Sequence, residues 1–351
     1  MATDSSFRWL DPLREDAILL RGFAFLRDNQ NYHRLPDALQ ATTESTNPAV
    51  ARLARHTAGG QARLITDSAK LAIRATLKEF EDVSQMSAVG RGGFDCYVRD
   101  AAHDWTCLGS TPLDASRKHI EHTFDLAPFQ HPEVLVHFPL YAGVEDLRFG
   151  VTQTASVHPP KDLEDMPTIA IYGTSITQGG HASRPGLAYT NLLARRLPAH
   201  IYNFGFSGNA FGEAAIVSQI TDLQNLDLLV IDYEANAGTN GKLEATLHDL
   251  IDDIRRKHPV LPVLVMSRIP YLYDSLYPSF GARREELRRF QRDLVAFRRS
   301  SGDHHLYFLD GSLHMGPDWH ECTTDTIHPN DIGFQRIADA MIPMIQSIFH
   351  E

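Results

Sequence analysis

Hydrophobic and polar residues change rhythm near residue 160 of the chain. In Lys70-Leu71-Ala72-Ile73-Arg74-Ala75-Thr76-Leu77 the larger apolar side chains fall on every second position. The alternation recurs at Val134, Val136 and Phe138, and again at Leu147, Phe149 and Val151. A period of two sends successive side chains to opposite faces, which predicts antiparallel strands with one buried and one wet face. Turn-forming clusters separate these runs: Gly59-Gly60, Thr66-Asp67-Ser68, Gly90 to Gly93, and Ser110-Thr111-Pro112. Short strands at that spacing predict an all-β sandwich or jelly-roll. Only Pro48 to His56 reads as a short helix.

After His158-Pro159-Pro160-Lys161-Asp162 short apolar runs alternate with segments of helical period. The strands expected are Thr168–Tyr172, Ile201–Phe204, Leu228–Tyr233, Val263–Ser267 and Leu306–Leu309. Helices are expected near Ala188–Leu197, Glu213–Leu226, Lys242–Lys257, Arg283–Arg299 and Asp331–Phe349. Strand–helix alternation with compact connections predicts an α/β domain, a parallel sheet covered by helices on both faces. The expected division is therefore a β domain over residues 1–160 and an α/β domain over residues 161–351.

Composition narrows the function classes. A chain of 351 residues, 43% hydrophobic and 22% charged, has apolar material for two ordinary cores. A formal net charge of -11 offers no basic field for nucleic acid or an anionic membrane. No apolar run reaches the length of a membrane span. The segment from Met1 to Asp16 carries charges at Asp4, Arg8, Asp11, Arg14, Glu15 and Asp16 and lacks the apolar stretch of a secretory signal. Cys96, Cys107 and Cys322 form no paired or metal-binding spacing. A cytoplasmic protein is expected, with neither nucleic-acid nor membrane partners.

In an open α/β sheet, ligands bind beyond the carboxyl ends of the strands. The first strand is followed by Gly173-Thr174-Ser175-Ile176-Thr177-Gln178-Gly179-Gly180, and the second by Gly205-Phe206-Ser207-Gly208-Asn209. The third leads into Glu234-Ala235-Asn236-Ala237-Gly238, and Asp325-Thr326-Ile327-His328-Pro329-Asn330 precedes the last helix. One sheet edge would thus collect a hydroxyl, a small-residue turn, a side-chain amide and an imidazole beside a carboxylate. Those are the parts of acyl transfer by a serine nucleophile. His328 would take the proton of Ser175, and Asp325 would hold the imidazole in the productive tautomer. The N–H of Ser175, the N–H of Gly208 and the Asn236 amide would receive the oxyanion. Such chemistry needs neither a metal nor an organic cofactor.

These four blocks, in this order, resemble those of the SGNH (GDSL-type) hydrolases. Ser175 matches the serine of the first block, Gly208 the glycine of the second, Asn236 the asparagine of the third, and Asp325 and His328 the last. The resemblance implies a flavodoxin-like three-layer domain and a carboxylic-ester hydrolase. Gly93-Phe94-Asp95-Cys96-Tyr97 is similar to the Gly-x-Asp-Leu-Tyr signature of a β-rich domain that precedes one SGNH subgroup, with Cys96 where Leu is usual. Members with an added β domain are often carbohydrate esterases. The resemblance therefore implies an acetylesterase acting on O-acetyl sugars or oligosaccharides, which the intracellular setting would supply as imported fragments. A general arylesterase, thioesterase or lysophospholipase keeps the chemistry and changes the substrate; a long apolar loop set around the site would favour it, and none is evident. A carbohydrate-binding protein with a vestigial site is the rival from another class. Two departures stand out: Thr174 replaces the usual Asp, and Glu234-Ala235-Asn236-Ala237 replaces Gly-x-Asn-Asp.

Plainer roles compete for each residue. Ser175 would also cap the helix after the first strand, Gly208 would serve any turn, and Asn236 would bond its own loop. His328 would also suit a solvated helix entry. The glycine spacing fits no nucleotide-binding loop, and Gly205-Phe206-Ser207-Gly208-Asn209 departs from a Gly-x-Ser-x-Gly elbow. His320-Glu321 begins like HExxH, but Thr324 stands where the second metal ligand belongs. Arg268, Trp319 and His320 are candidate substrate contacts, against packing or solvated roles. The β half offers a surface for assembly of a homo-oligomer.

Overall fold

The computed structural model describes residues 6–78, 80–113, 118–161 and 165–351; Asp4 and Asp162, named above, lie outside the described residues. Two compact units divide the chain: Met1–Met166 with Ser183–Gly186, and Pro167–Ala182 with Leu187–Glu351. The main break falls just after the Pro-rich stretch where the hydrophobic rhythm changes.

The strands described in the first unit are β1 (Phe7–Leu10), β2 (Leu19–Arg21), β3 (Gln61–Thr66), β4 (Lys70–Lys78), β5 (Asp95–Arg99), β6 (Thr106–Ser110), β7 (His119–Asp125), β8 (Glu133–His137), β9 (Gly143–Thr152) and β10 (Val157–His158). They pair antiparallel in two sheets, β1-β9-β4-β7 and β10-β3-β8-β5-β6, with β2 also on β3. Alternate residues of both sheets meet in one core, among them Leu71 and Ile73 of β4, Val134 and Val136 of β8, and Phe149 of β9. That is a β-sandwich. Short helices α1 (Leu26–Asn29), α2 (Gln40–Thr46), α3 (Pro48–Leu53) and α4 (Ala88–Gly92) fill the connections.

Two expectations change here. Gly90 to Gly93 form most of α4 and its end rather than a turn, because the Ser87 hydroxyl accepts the Gly90 N–H at 2.8 Å and starts the helix. Burial of Gly90, Arg91 and Gly92 then overrides the weak helix propensity of the two glycines. The outer face of β8 is also dry, since Glu133 and His137 are buried as fully as the apolar residues between them. Glu133 accepts from Arg63 Nε at 2.8 Å and Arg99 Nε at 2.7 Å, and the Trp105 ring lies against both guanidinium groups. Burying charge is tolerable because each charge has a partner.

The signature residues alternate across β5. Cys96 enters the sandwich core, while Asp95 and Tyr97 grip the excursion Ser183–Gly186. Asp95 Oδ1 lies 2.8 Å from His137 Nδ1, and its Oδ2 accepts from Arg184 at 2.9 Å and the Gly186 N–H at 2.7 Å. Arg184 also donates to the Tyr97 hydroxyl.

The second unit has one parallel sheet in the order β12-β11-β13-β14-β15. Its strands are β11 (Thr168–Gly173), β12 (His200–Gly205), β13 (Leu226–Asp232), β14 (Val263–Met266) and β15 (Leu306–Leu309). The helices are α5 (Ser175–Gln178), α6 (Tyr189–Arg196), α7 (Ala214–Thr221), α8 (Glu234–Ala237), α9 (Lys242–Lys257), α10 (Leu272–Leu276), α11 (Pro278–Ser300) and α12 (Asp331–His350). All six residues of β11 are buried, as a strand covered on both faces requires. Helix α12 starts where Asn330 accepts the N–H groups of Ile332 and Gly333, and it buries Phe334, Ile337, Ala338, Met341 and Ile345. Helix α11 begins at Pro278, ahead of the expected Arg283, because Pro at a first turn is pre-set for a helix. The strand order reverses at β11, and a flavodoxin-like sheet opens its binding crevice there, beyond the carboxyl ends of β11 and β13. Among the described residues no helix is long and apolar enough to cross a membrane.

Asp95 carries a test of the first unit. Burial pushes its carboxyl up, but His137 and Arg184 beside it outweigh that and hold it below its ordinary range. Its contribution is therefore complete above the unfolded carboxylate range and is lost as pH falls through the folded value. Asp95→Ala, which takes the carboxylate away from His137 and Arg184, should lower stability by about 3–5 kcal/mol. Urea unfolding at neutral pH measures the loss, and the gap to wild type should shrink as the medium is acidified.

Candidate active site

The loop after β11 is held from below and capped from within. Thr174 is the N-cap of α5, its hydroxyl accepting the Ile176 N–H at 3.3 Å. The capping role considered for Ser175 thus belongs to Thr174, and the Ser175 hydroxyl turns to His328. Ser175 Oγ lies 2.8 Å from His328 Nε2. His328 Nδ1 lies 2.8 Å from Asp325 Oδ2. Asp325 Oδ1 accepts the N–H groups of His328 at 2.7 Å and Ile327 at 3.1 Å. Thr326 folds this turn with φ of 74°, a left-handed conformation costly for a β-branched residue. Burial would raise the Asp325 carboxyl, but the donors from His328 and Ile327 hold it below its ordinary range. An ionised Asp325 keeps the proton on Nδ1, leaving Nε2 to accept from the serine.

The second loop lies against the first. A side chain on Gly205 would collide with the Gln178 backbone nitrogen, so glycine alone allows β12 to end so close to α5. Gln178 Oε1 then accepts the Ser207 N–H at 3.0 Å. Gly208 follows in the left-handed region at φ of 69°, with open space where a side chain would stand. Asn236, on α8 after β13, accepts the Ala210 N–H at 3.3 Å through Oδ1, which turns its Nδ2 donors to the other side of the amide. Ser175, Gly208, Asn236 and His328 all line one cleft of about 510 Å³. An ester carbonyl seated there can meet a nucleophile, a base and hydrogen-bond donors together.

Several contributors have little sequence signal. Glu234, which replaces the usual glycine, is buried and accepts the Arg268 N–H at 2.8 Å and Gln291 Nε2 at 2.7 Å. It ties the loop after β14 and helix α11 beneath Asn236. Asp232, at the end of β13, accepts from Thr177 and Tyr189 at 3.0 and 3.2 Å and so braces α5; burial pushes its carboxyl up to about 7. Tyr271, Tyr273 and Phe280 make the cleft wall aromatic, with Leu287 and Ile327 adding apolar surface. Tyr273 and Phe280 are about half exposed and pack with Tyr277 in a ring cluster. These rings sit at the start of the α10–α11 hairpin, ahead of the charge run from Arg283 to Arg289.

The tentative substrate residues separate. Arg268 lines the cleft, but its guanidinium makes two 2.7 Å bonds to Asp274 and lies 4.1 Å from the Tyr271 ring centre. Trp319 and His320 are not among the residues that line this cleft. Their 3-10 turn, Trp319–Cys322, is drawn toward α12 by the Arg336–Asp318 ion pair. His181 joins the site unannounced, its ring stacked on that of His328. Donor atoms of His181, Asp325 and His328 lie within 4.8 Å of one another. The two rings are parallel within 3°, so their lone pairs run side by side instead of converging on a cation.

The model of the GDSL-like lipase/acylhydrolase family matches residues 167–346. The model for the N-terminus of SGNH-hydrolase-type esterases, named GxDLY, matches residues 7–157. No curated protein matches the chain. A solved structure from Bacteroides ovatus, described as a GDSL-like lipase, is 25% identical over 98% of both chains, with a TM-score of 0.87. The salicylyl-acyltransferase SsfX3 of a tetracycline biosynthetic pathway is 20% identical over 98% of both chains, with a TM-score of 0.75. A family two carbohydrate esterase from Clostridium thermocellum is 15% identical over 83% of this chain and 92% of its own, with a TM-score of 0.56. The last two likenesses are of fold.

Two outcomes test this geometry. Asn236→Ala should lower kcat by about 10²–10³-fold, roughly 3–4 kcal/mol, while KM changes little; steady-state kinetics on a soluble ester reads this. Because burial raises the Asp232 carboxyl, the folded protein keeps that proton to higher pH than the unfolded chain does. Its stabilising effect is present below the unfolded carboxylate range and fades as pH rises toward 7. Thermal melts from about pH 5 to about pH 8 should show wild type losing Tm relative to Asp232→Asn.

Proposed function

We propose that this chain, which belongs to the GDSL-like lipase/acylhydrolase family, is a serine esterase that hydrolyses carboxylic esters through an acyl-Ser175 intermediate. The observation that carries the reading is the continuous chain Ser175–His328–Asp325, with 2.8 Å at each side-chain contact. Ser175 Oγ attacks the ester carbonyl as His328 Nε2 takes its proton. The oxyanion is received by the N–H groups of Ser175 and Gly208 and by the Asn236 amide, preorganised where charge develops. His328 returns the proton to the leaving alcohol, then takes one from the water that releases the acid. Asp325 stays ionised and steadies the imidazolium at both steps.

O-acetyl sugars and oligosaccharides are the proposed substrates. The half-exposed ring cluster of Tyr273, Tyr277 and Phe280 at the cleft supports this, since flat amphipathic rings suit the apolar faces of sugars. Arg268, held by Asp274, would act as a fixed wall of the pocket. The same cleft favours a second reading. Its apolar lining by Tyr271, Phe280, Leu287 and Ile327 also suits a larger acyl or aryl group. A reducing, cytoplasmic setting is proposed as well, in keeping with three cysteines that no disulfide joins. A vestigial site is disfavoured by an intact nucleophile, base and carboxylate at hydrogen-bond distances.

Hydrolysis of para-nitrophenyl acetate by wild type and Ser175→Ala decides the chemistry: the variant should fall to background. Equal slow rates in both proteins would overturn the esterase reading. Acetylated xylo-, manno- and gluco-oligosaccharides, run beside aryl esters of increasing acyl length, then separate the two substrate classes by kcat/KM.

A further inference from the structure

His181 follows Gly179-Gly180 at the end of the nucleophile loop, and the esterase reading gives it no task. It is buried, and it holds a left-handed backbone at φ of 75°, uncommon for a residue with a side chain. Its ring stacks on His328 with centroids 4.6 Å apart and planes 3° from parallel. Its Nε2 lies 3.8 Å from Asp325 Oδ2, beyond a hydrogen bond, and its buried Nδ1 has no hydrogen-bond partner among the described residues. A buried polar atom without a partner costs free energy, so packing at this position has been kept at some expense.

We infer that His181 is a positioning residue for the base: its flat ring covers one face of His328 and holds the imidazole in the plane that joins Asp325 to Ser175. This inference rests on the esterase reading above. The His328 ring is held at Nδ1 by Asp325 and at Nε2 by Ser175, and both bonds lie at its edge, so it can still tilt about the line that joins them. A parallel ring against its face removes that freedom while leaving both nitrogens in plane with their partners. Proton transfer depends steeply on such alignment, and a misplacement of about 1 Å can cost about a hundredfold in rate. The charged or titratable groups acting on His181 are His328 and Asp325, and burial holds its own protonation below the ordinary histidine range. A neutral ring leaves the Asp325 charge to the imidazolium that forms on His328; a second cation stacked there would oppose it.

The test compares a variant that keeps a flat face with one that removes it. His181→Phe retains the ring and loses both nitrogens; His181→Gly accepts the left-handed backbone and offers no ring. With an aryl acetate, His181→Gly should lose about tenfold to a hundredfold in kcat with KM within about twofold. His181→Phe should stay within about fivefold of wild type in both constants. Should the glycine variant fail to fold, as judged by its thermal melt, His181→Asn replaces it, since Asn also tolerates this backbone. Wild-type kcat in the ringless variant would overturn the inference, and so would equal losses in the Phe and ringless variants. Ser175→Ala run alongside keeps the two readings apart. Activity persisting there sinks the esterase reading itself; an inactive Ser175→Ala beside a fully active ringless variant sinks only the role of His181.

Discussion

The Asp325 carboxylate gathers the N–H of Ile327, the N–H of His328 and the His328 ring at Nδ1, and the geometry of the cleft depends on that gathering. Two of these contacts are local and fix the turn; the third fixes the ring. The turn is strained at Thr326 and offset by the bonds it permits, an economy common at functional sites. Because one side chain sets both the backbone and the imidazole, the base is placed before any ligand arrives. The 2.8 Å approach of His328 to Ser175 follows from this arrangement and from the position of α5.

That position is set by the sheet. In the order β12-β11-β13-β14-β15, β11 lies between β12 and β13, and their carboxyl ends carry Ser175, Gly208 and Asn236 to one crevice. Glycine at 205 lets two of these loops touch, and buried polar groups brace them: Gln178 under Ser207, Asp232 under Thr177 and Tyr189, and Glu234 under the loop that starts at Arg268. The braces explain the family departures. Thr174 caps α5 in place of an acid, and Glu234 takes up a cross-link to α11 through Gln291.

What the sequence made legible was whatever repeats locally. All five strands of the parallel sheet fall within about two residues of their periodic segments, and α9 matches its segment end to end. The β-rich half was readable as strands, but the dry outer face of β8 was not, because pairing of Glu133 with Arg63 and Arg99 joins residues far apart in the chain. The four blocks foretold which side chains would meet. The place of Trp319 and His320 could not be read from nearness in sequence to Asp325, since a 3-10 turn and an ion pair intervene. Tyr271, Tyr273 and Phe280 cluster within ten positions of the chain, but their meeting on one wall of the cleft, like the ring of His181 on His328, comes from packing that a single sequence does not display.

The central claim is that Ser175 is the nucleophile, activated by His328. Its most direct measurement is mass-spectrometric mapping of the residue modified by an organophosphonate ester, which imitates the tetrahedral intermediate and stays attached. The account predicts one label per chain, on Ser175, appearing in step with loss of esterase activity and failing to form in His328→Ala. Full labelling of Ser175 with activity intact, or inactivation with the label on another residue, would contradict it.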